Sequence, residues 1–413
     1  MNNPQVAKYV AALKDSDTDV RRSAASALGQ IGDAAAVPAL IEAVKDAEQH
    51  VRKLFNSQRF AAPMQHTIDK GSDLMSELIN HQIVLKSRPT GRPSLENFAL
   101  VETPVREPED GEVLRRTIYL SLDPYMRGRM SDRASYTSPT APGEPMVGGT
   151  VSQVVASRDP AFAEGDFVLG YDGWQEYGVS SGKGLHKLDP TQAPLSYFLG
   201  ALGMPGMTAY CALLDIGKPK EGETVVVSAA AGAVGSVAGQ IAKIKGCRVV
   251  GLAGTDEKCR VVTQHLGFDA CINYKTQPLD EALRETCPQG IDVYYDNVAG
   301  PILAAVLGQI NLHARIPLVG LISQYNDTTP PPGPNLAPLL IKRSLIQGFL
   351  VSDYSSWQDR FLADMAVWVR EDRVKVLEQI VEGLENAPQA FIGLFAGDNT
   401  GKLIVKISTD PTQ

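Results

Sequence analysis

The residues with the plainest chemical meaning are Ala230, Gly232 and Gly235, spaced A-x-G-x-x-G inside Thr224–Thr255, TVVVSAAAGAVGSVAGQIAKIKGCRVVGLAGT. Small residues at that spacing let a backbone turn approach a pyrophosphate. A helix beginning there aims free N–H groups and a positive dipole end at it. The other groups able to act on a ligand are two phenols, Tyr136 and Tyr325, and the ammonium of Lys258. A phenol can donate to a carbonyl oxygen that gains negative charge, and an ammonium can meet a phosphate.

These groups need elements to hold them. Val225-Val226-Val227 is a β-branched run of the kind buried on both faces of a parallel sheet, and Val237, Ile241 and Ile244 follow at helical spacing. Gly246 stops that helix and a second strand spans Arg248–Ala253. Strand, small-residue turn, helix, strand is the dinucleotide-binding unit. Ala230 stands where the tight-turn glycine is usual, so a mere packing turn is the competing reading. An NAD reader places an acidic side chain just past the second strand. Here Gly254-Thr255-Asp256-Glu257-Lys258 follows. Lys258 suits the 2′-phosphate of NADPH, Asp256 and Glu257 argue against it, and a solvated helix start is the plain alternative for Lys258. NADPH is the expected cofactor.

Residues beyond strand C-termini face the ligand crevice of an open parallel sheet. That rule places Tyr274, Asn297 and Ser323-Gln324-Tyr325 beside the cofactor. The proline-rich stretch Thr328–Pro338 reads as a stiff arm. Helices are expected over Phe361–Val369 and Val374–Leu384, then a strand, Leu403–Ile407, that returns to the β-rich part of the chain.

That β-rich part, Gln82 to about Leu188, has short apolar runs broken by Gly, Pro and Asp, the pattern of a small barrel or sandwich. Within it, Tyr119–Met130 (YLSLDPYMRGRM) runs from a strand into a loop with two arginines, and Tyr125 and Tyr136 either hold a substrate carbonyl or pack the barrel rim. At 413 residues the chain must split into several domains. A net charge of −8 without a basic run argues against nucleic acid and anionic membranes as partners. No apolar stretch reaches the roughly 18 residues needed to cross a bilayer, and the start MNNPQ is no signal peptide. The five scattered cysteines predict no disulfide framework and suit a reducing cytoplasm. The six histidines pair with no cysteine at metal-ligand spacing, so no metal site is expected.

From Pro4 to about Lys53 the apolar pattern is helical, and Ala12-Leu13-Lys14-Asp15 with Val20-Arg21 recurs 31 residues later as Ala43-Val44-Lys45-Asp46 with Val51-Arg52. This resembles a short HEAT-type repeat of about one and a half units, whereas a repeat array needs about three to bury a continuous face. A docking face for a protein partner and a purely structural or fused segment are equal alternatives for residues 1–53. Residues 54–79 read as a linker.

With these residues in view, the chain from Asn80 to Ile407 resembles the zinc-independent medium-chain dehydrogenase/reductases of the prostaglandin/leukotriene reductase group, and within it the NADPH-dependent curcumin reductases. The collinear blocks are YLSLDPYMRGRMSD, GMPGMTAY, AAAGAVGSVAGQIAKIKGCRVVG, DNVAG, LISQYN and ENAPQAFIGLFAGDNTGK. Two depart from the family pattern: Ala299 stands for a frequent second glycine, and Gln324 for a small hydroxyl residue.

The resemblance implies an α/β Rossmann doubly wound parallel sheet over 203–372 and a GroES-like β-barrel catalytic domain over 80–202, with residues 373–413 returning to the barrel. It implies that Gly232, Ala233, Val234 and Gly235 bind the pyrophosphate, and that Lys258 and Tyr274 take the 2′-phosphate end. Asn297, the Val319–Tyr325 loop (with Leu321, Ile322, Ser323 and Tyr325), Phe349, Leu350, Val351 and Asn399 would hold the ribose and nicotinamide. The implied activity is NADPH-dependent reduction of the C=C bond of α,β-unsaturated ketones and aldehydes, with Tyr325, joined by Tyr136, donating to the enolate oxygen. Plain stacking on the cofactor is the other reading of Tyr325. A quinone reductase and a non-catalytic NADPH-binding protein are the competing functions, and a homodimer is expected.

Overall fold

Short segments of alternating burial build the first half of the described structure: β1 (Ile79–Leu85), β2 (Phe98–Pro104), β3 (Glu112–Ser121), β4 (Thr150–Ser157), β5 (Phe167–Gly170), β6 (Tyr177–Ser181) and β7 (His186–Leu188). The structure is a computed structural model that describes residues 78–133 and 135–413, with Lys8 and Ala24. The chain divides into two compact units, Met1–Met75 and Ser76–Gln413, and the described strands belong to the second. The helical repeat expected over residues 1–53 and the linker as far as residue 77 lie outside the described residues, save that Lys8 and Ala24 are helical.

Six more strands follow, of which β8 is the buried Val225–Val227 run: β8 (Thr224–Ser228), β9 (Arg248–Ala253), β10 (Ala270–Asn273), β11 (Ile291–Tyr295), β12 (Ile310–Leu318) and β13 (Leu345–Gly348). They form one sheet in the order β10-β9-β8-β11-β12-β13, and every neighbouring pair is parallel. Strand order reverses between β8 and β11, which opens a crevice beyond their C-terminal ends. This is a doubly wound Rossmann sheet. The helix Ala233–Ile244 packs Val237, Ala238 and Ile241 against β8 and β9, which is why its apolar residues recur at helical spacing.

Two late strands, β14 (Glu378–Glu382) and β15 (Lys402–Lys406), leave this sheet. They join the first half in the order β14-β15-β3-β4-β5-β7, and β6 pairs with the first part of β3, Glu112 to Arg116. Strand β15 runs antiparallel to β3, and Ile404 faces Ser121. The expectation of a helix over Val374–Leu384 is wrong: β14 and a short 3-10 turn, Leu384–Asn386, occupy that stretch. Apolar residues at 374, 376, 377, 380 and 381 fit a helix as well as a strand, and the open edge of β15 decides for the strand. Residues Glu378 to Glu382 pair one for one with Lys402 to Lys406. The helix Ala387–Leu394 then seals the barrel end, where Phe391 meets Trp174 edge-on at 5.5 Å and Trp174 stacks on Phe98 at 5.6 Å.

Candidate active site

A cleft of about 990 Å³ lies at the strand-order reversal, walled on one side by the β8 turn and the ends of β11 and β12, and on the other by the barrel loop Leu122–Tyr125. Its floor is the small-residue turn. After β8 the chain turns through Ala229, whose φ of 49° makes it the left-handed residue of the turn. The tight turn therefore falls at Ala229, one residue before the Ala230 of the fingerprint. Gly232 precedes the helix Ala233–Ile244, and Gly235 packs so closely that a Cβ there would sit 2.4 Å from the Ala229 carbonyl oxygen. Both positions leave the helix N-terminus bare toward the cleft, a cradle for a pyrophosphate. From the barrel side, Gly401 donates its N–H to the Ala231 carbonyl at 2.7 Å, so the start of β15 is latched directly to the turn.

At the end of β9 a second cradle forms. Gly254 leaves open a space that a Cβ would share with the Tyr274 hydroxyl at 3.1 Å and Lys275 Cε at 3.2 Å. Lys258 lines the same end of the cleft and donates to the Gly397 carbonyl at 2.6 Å. Burial holds the Lys258 ammonium below the usual lysine range, and the neighbouring charge of Lys275 pushes it the same way. Two ammonium groups that repel each other suit a dianionic phosphate. Of the two acidic residues that argue against NADPH, Asp256 accepts from the Asn273 side chain at 2.7 Å. These residues fit an NADP cofactor.

The middle of the cleft is shaped by Asp296 and Asn297, just past β11. Asp296 is fully buried, and its Oδ1 accepts from the N–H groups of Val298 (2.9 Å) and Ala299 (2.8 Å) and from the Tyr294 hydroxyl (2.9 Å). Burial raises the pKa of this carboxyl. Asn297 donates from Nδ2 to the Ser228 carbonyl at 2.7 Å and lines the cleft. Ser323 donates to the Val298 carbonyl at 2.6 Å and binds the two loops together.

Of the residues expected at the cofactor and substrate site, Gly232 to Gly235, Lys258, Tyr274, Asn297, Ile322, Ser323, Tyr325, Phe349 to Val351, Asn399 and Tyr136 line this cleft. Leu321 does not; its backbone N–H points at the Tyr325 hydroxyl, 3.4 Å away. That contact leaves the phenol proton free to donate elsewhere. Burial raises the pKa of Tyr325, so the phenol stays protonated near neutrality, and burial acts likewise on Tyr136, helped by the proximity of Tyr325.

Two titratable cleft residues escape a reading of the sequence, Lys275 and Tyr171. Lys275 is within reach of the strand-end rule, since it follows Tyr274 past the end of β10. Tyr171 follows β5 in the barrel, where no such rule applies. Among the described residues no group of three or more His, Cys, Asp or Glu side chains is placed to hold a metal ion, and no helix is long and apolar enough to cross a membrane.

Comparison with known proteins agrees with this geometry. Residues 81–188 match the family model described as the N-terminal domain of oxidoreductase, residues 233–366 that of zinc-binding dehydrogenase, and residues 6–54 that of HEAT repeats. The chain is 54% identical over 338 residues to the NADPH-dependent curcumin reductase of Escherichia coli, covering 80% of this chain and 98% of that one. It is 43% identical to the NADP(+)-dependent 2-alkenal reductase of Nicotiana tabacum, covering 82% of this chain and 100% of the relative. Among solved structures, CurA of Vibrio vulnificus in complex with NADPH superposes with a TM-score of 0.77 at 52% identity, over 80% of this chain and 100% of that one.

Proposed function

Since the chain belongs to the prostaglandin/leukotriene reductase group of the medium-chain dehydrogenase/reductases, we propose the following roles for its residues in that group's reaction. The protein is an NADPH-dependent enzyme that reduces the C=C bond of α,β-unsaturated ketones and aldehydes. Bound NADPH supplies the hydride, delivered to the β-carbon of the enone.

The chain's own residues do the rest. Gly232 to Gly235 hold the pyrophosphate, Lys258, Tyr274 and Lys275 hold the 2′-phosphate, and Asn297 with the Val319–Tyr325 loop orients the ribose and nicotinamide. Tyr325 donates a hydrogen bond from its phenol to the carbonyl oxygen as enolate charge builds there and keeps its proton, with Tyr136 beside it; the one proton the reduction consumes comes from solvent. The observation that carries this assignment is the protonated, cleft-lining phenol whose only hydrogen bond among the described residues is one it accepts. Protonation of the α-carbon completes the reduction. Losing a donor of this kind typically costs about 10²-fold or more in turnover. Tyr325→Phe assayed on an enone with saturating NADPH is therefore expected to lose about that factor in kcat, and an unchanged kcat would remove Tyr325 from the mechanism.

We assign residues 80–202 and 373–413 to the catalytic barrel and 203–372 to the nucleotide domain, a division supported by the pairing of β15 with β3. A homodimer is supported by β13, an edge strand, and by the apolar side chains exposed beside it. A cytoplasmic setting is supported by five cysteines that are all free thiols. The HEAT-type segment is the natural candidate for contact with a protein partner.

A further inference from the structure

The cleft has two ends, and the strand order tells them apart. The cradle of Gly254, Lys258 and Tyr274 lies past β9 and β10, so a dinucleotide crossing the turn at Gly232 to Gly235 has its nicotinamide end on the side of β12 and β13. Phe349, Leu350 and Val351 line the cleft there. They follow β13, the edge strand, so the sheet supports them from one side only, where Phe349 donates its N–H to the Leu318 carbonyl at 3.1 Å.

The other support is a tyrosine that does not itself line the cleft. A short 3-10 run, Val351–Trp357, breaks at Tyr354, where φ −110° and ψ 20° leave the helical region. The Tyr354 ring packs on Phe349 with centroids 4.9 Å apart, and its hydroxyl donates to Asp215 Oδ2 at 2.7 Å. Burial and the Asp215 carboxylate push this phenol up to about 12, so it remains the donor at neutral pH. Asp215 stands on Ala212–Gly217, a π-helical stretch that continues the helix Met204–Cys211. Such stretches are rare and gather at functional sites. The same helix lines the cleft through Met204, Pro205 and Thr208, and the Thr208 carbonyl accepts from the Tyr295 hydroxyl at 3.0 Å. Asp215 therefore offers Tyr354 an anchor that is tied in turn to β11. A second phenol–carboxylate bond, Tyr210 to Asp364, joins this helix to the helix Gln358–Arg370, but the ring partners of Tyr210 are Trp357, Phe361 and Trp368, none of which lines the cleft.

We propose that Tyr354, held by Asp215, is a positioning residue for the nicotinamide end of the cofactor, acting through Phe349 on the backbone of Phe349 to Val351. This rests on the cofactor orientation given above and adds to it the pair of residues that sets its reactive end.

The test uses the full chain and two ligands that share the adenosine end, NADPH and 2′,5′-ADP, which carries the 2′-phosphate but no nicotinamide. Tyr354→Phe keeps the ring on Phe349 and removes the hydroxyl. Its dissociation constant for NADPH is expected to rise about three- to tenfold, the scale of one hydrogen bond to a charged group, while that for 2′,5′-ADP stays put. The kcat on an enone at saturating NADPH is expected to fall about tenfold, because hydride transfer is sensitive to small misplacement. Asp215→Ala should reproduce both changes, and Asp215→Asn, whose amide oxygen still accepts from the phenol, should largely restore them. Tyr210→Phe should lower the unfolding temperature and leave the ratio of the two dissociation constants unmoved. Constants that shift by one common factor in Tyr354→Phe and Asp215→Ala, or not at all, overturn the inference while leaving the cofactor site standing, as does an equal change of ratio in Tyr210→Phe. A wild-type protein that binds neither ligand removes both.

Discussion

The N–H of Ala299 donates to the buried Oδ1 of Asp296 at 2.8 Å while Ala299 itself holds φ 61° and ψ −148°. That backbone region suits glycine, and another residue held there costs on the order of 1–3 kcal/mol. The Asp296 carboxylate, gripping two successive N–H groups, is what keeps the alanine in place, and with it the loop that carries Asn297. Ala299→Gly is expected to raise stability by about 1 kcal/mol in a urea titration, because it relieves the strain without touching the contacts. Asp296→Ala is expected to lose at least about 2 kcal/mol by orphaning buried donors, and Ala299→Gly should recover part of that loss. Strictly additive effects in the double mutant would show that the two residues are not coupled.

The pair of ammonium groups at the end of β9 discriminates between nicotinamide nucleotides. Lys258→Ala and Lys275→Ala are each expected to raise KM for NADPH about tenfold or more and to leave KM for NADH nearly unchanged. Burial and Lys275 lower the Lys258 pKa, so in the free enzyme the charged, phosphate-binding form is lost as pH rises, at a lower pH than for an ordinary lysine. NADPH affinity should therefore weaken on the alkaline side before NADH affinity does, and Lys258→Arg should abolish that decline. Parallel pH profiles for the two nucleotides would contradict the assignment.

Lys402 is 2% exposed and ties the start of β15 to the barrel wall of the cleft. Its ammonium donates to the Leu122 carbonyl at 2.8 Å and to Asp123 at 2.9 Å, while Gly401 beside it holds the nucleotide turn. Lys402→Met strands the buried Asp123 carboxylate and is expected to cost about 3–5 kcal/mol. Adding Asp123→Asn removes the stranded charge, so the double variant should recover much of the lost stability in thermal or urea unfolding. A double variant as unstable as Lys402→Met would locate the effect elsewhere.

Leu340 is 81% exposed, and Leu336, Ile341 and Leu345 lie exposed around it at the β13 edge. Exposed apolar side chains next to an unpaired strand edge support the homodimer proposed above. Leu340→Glu is expected to shift the protein from dimer to monomer in size-exclusion chromatography with light scattering. A wild-type protein that runs as a monomer at all concentrations would dispose of this reading.

Local order is legible in the sequence because local physics sets it. The run Val225–Val227, the small residues to Gly235 and the helical stripe Val237–Ile241–Ile244 each follow from a few neighbouring side chains, so their spacing alone places the strand, turn and helix. The strand-end rule then locates Tyr274, Asn297 and Tyr325, because residues past the ends of parallel strands have only one crevice to face. Other features depend on partners distant in sequence. Whether Val374–Leu384 becomes helix or strand rests on the open edge of β15, about 20 residues later. That Lys258 meets Lys275, that Asp256 is taken by Asn273, and that Arg127 and Arg133 are hydrogen-bonded while the Nε of Arg129 is buried without a partner are outcomes of packing between segments. Spacing along a chain specifies which groups can point the same way; only the folded chain specifies which of them already have a partner.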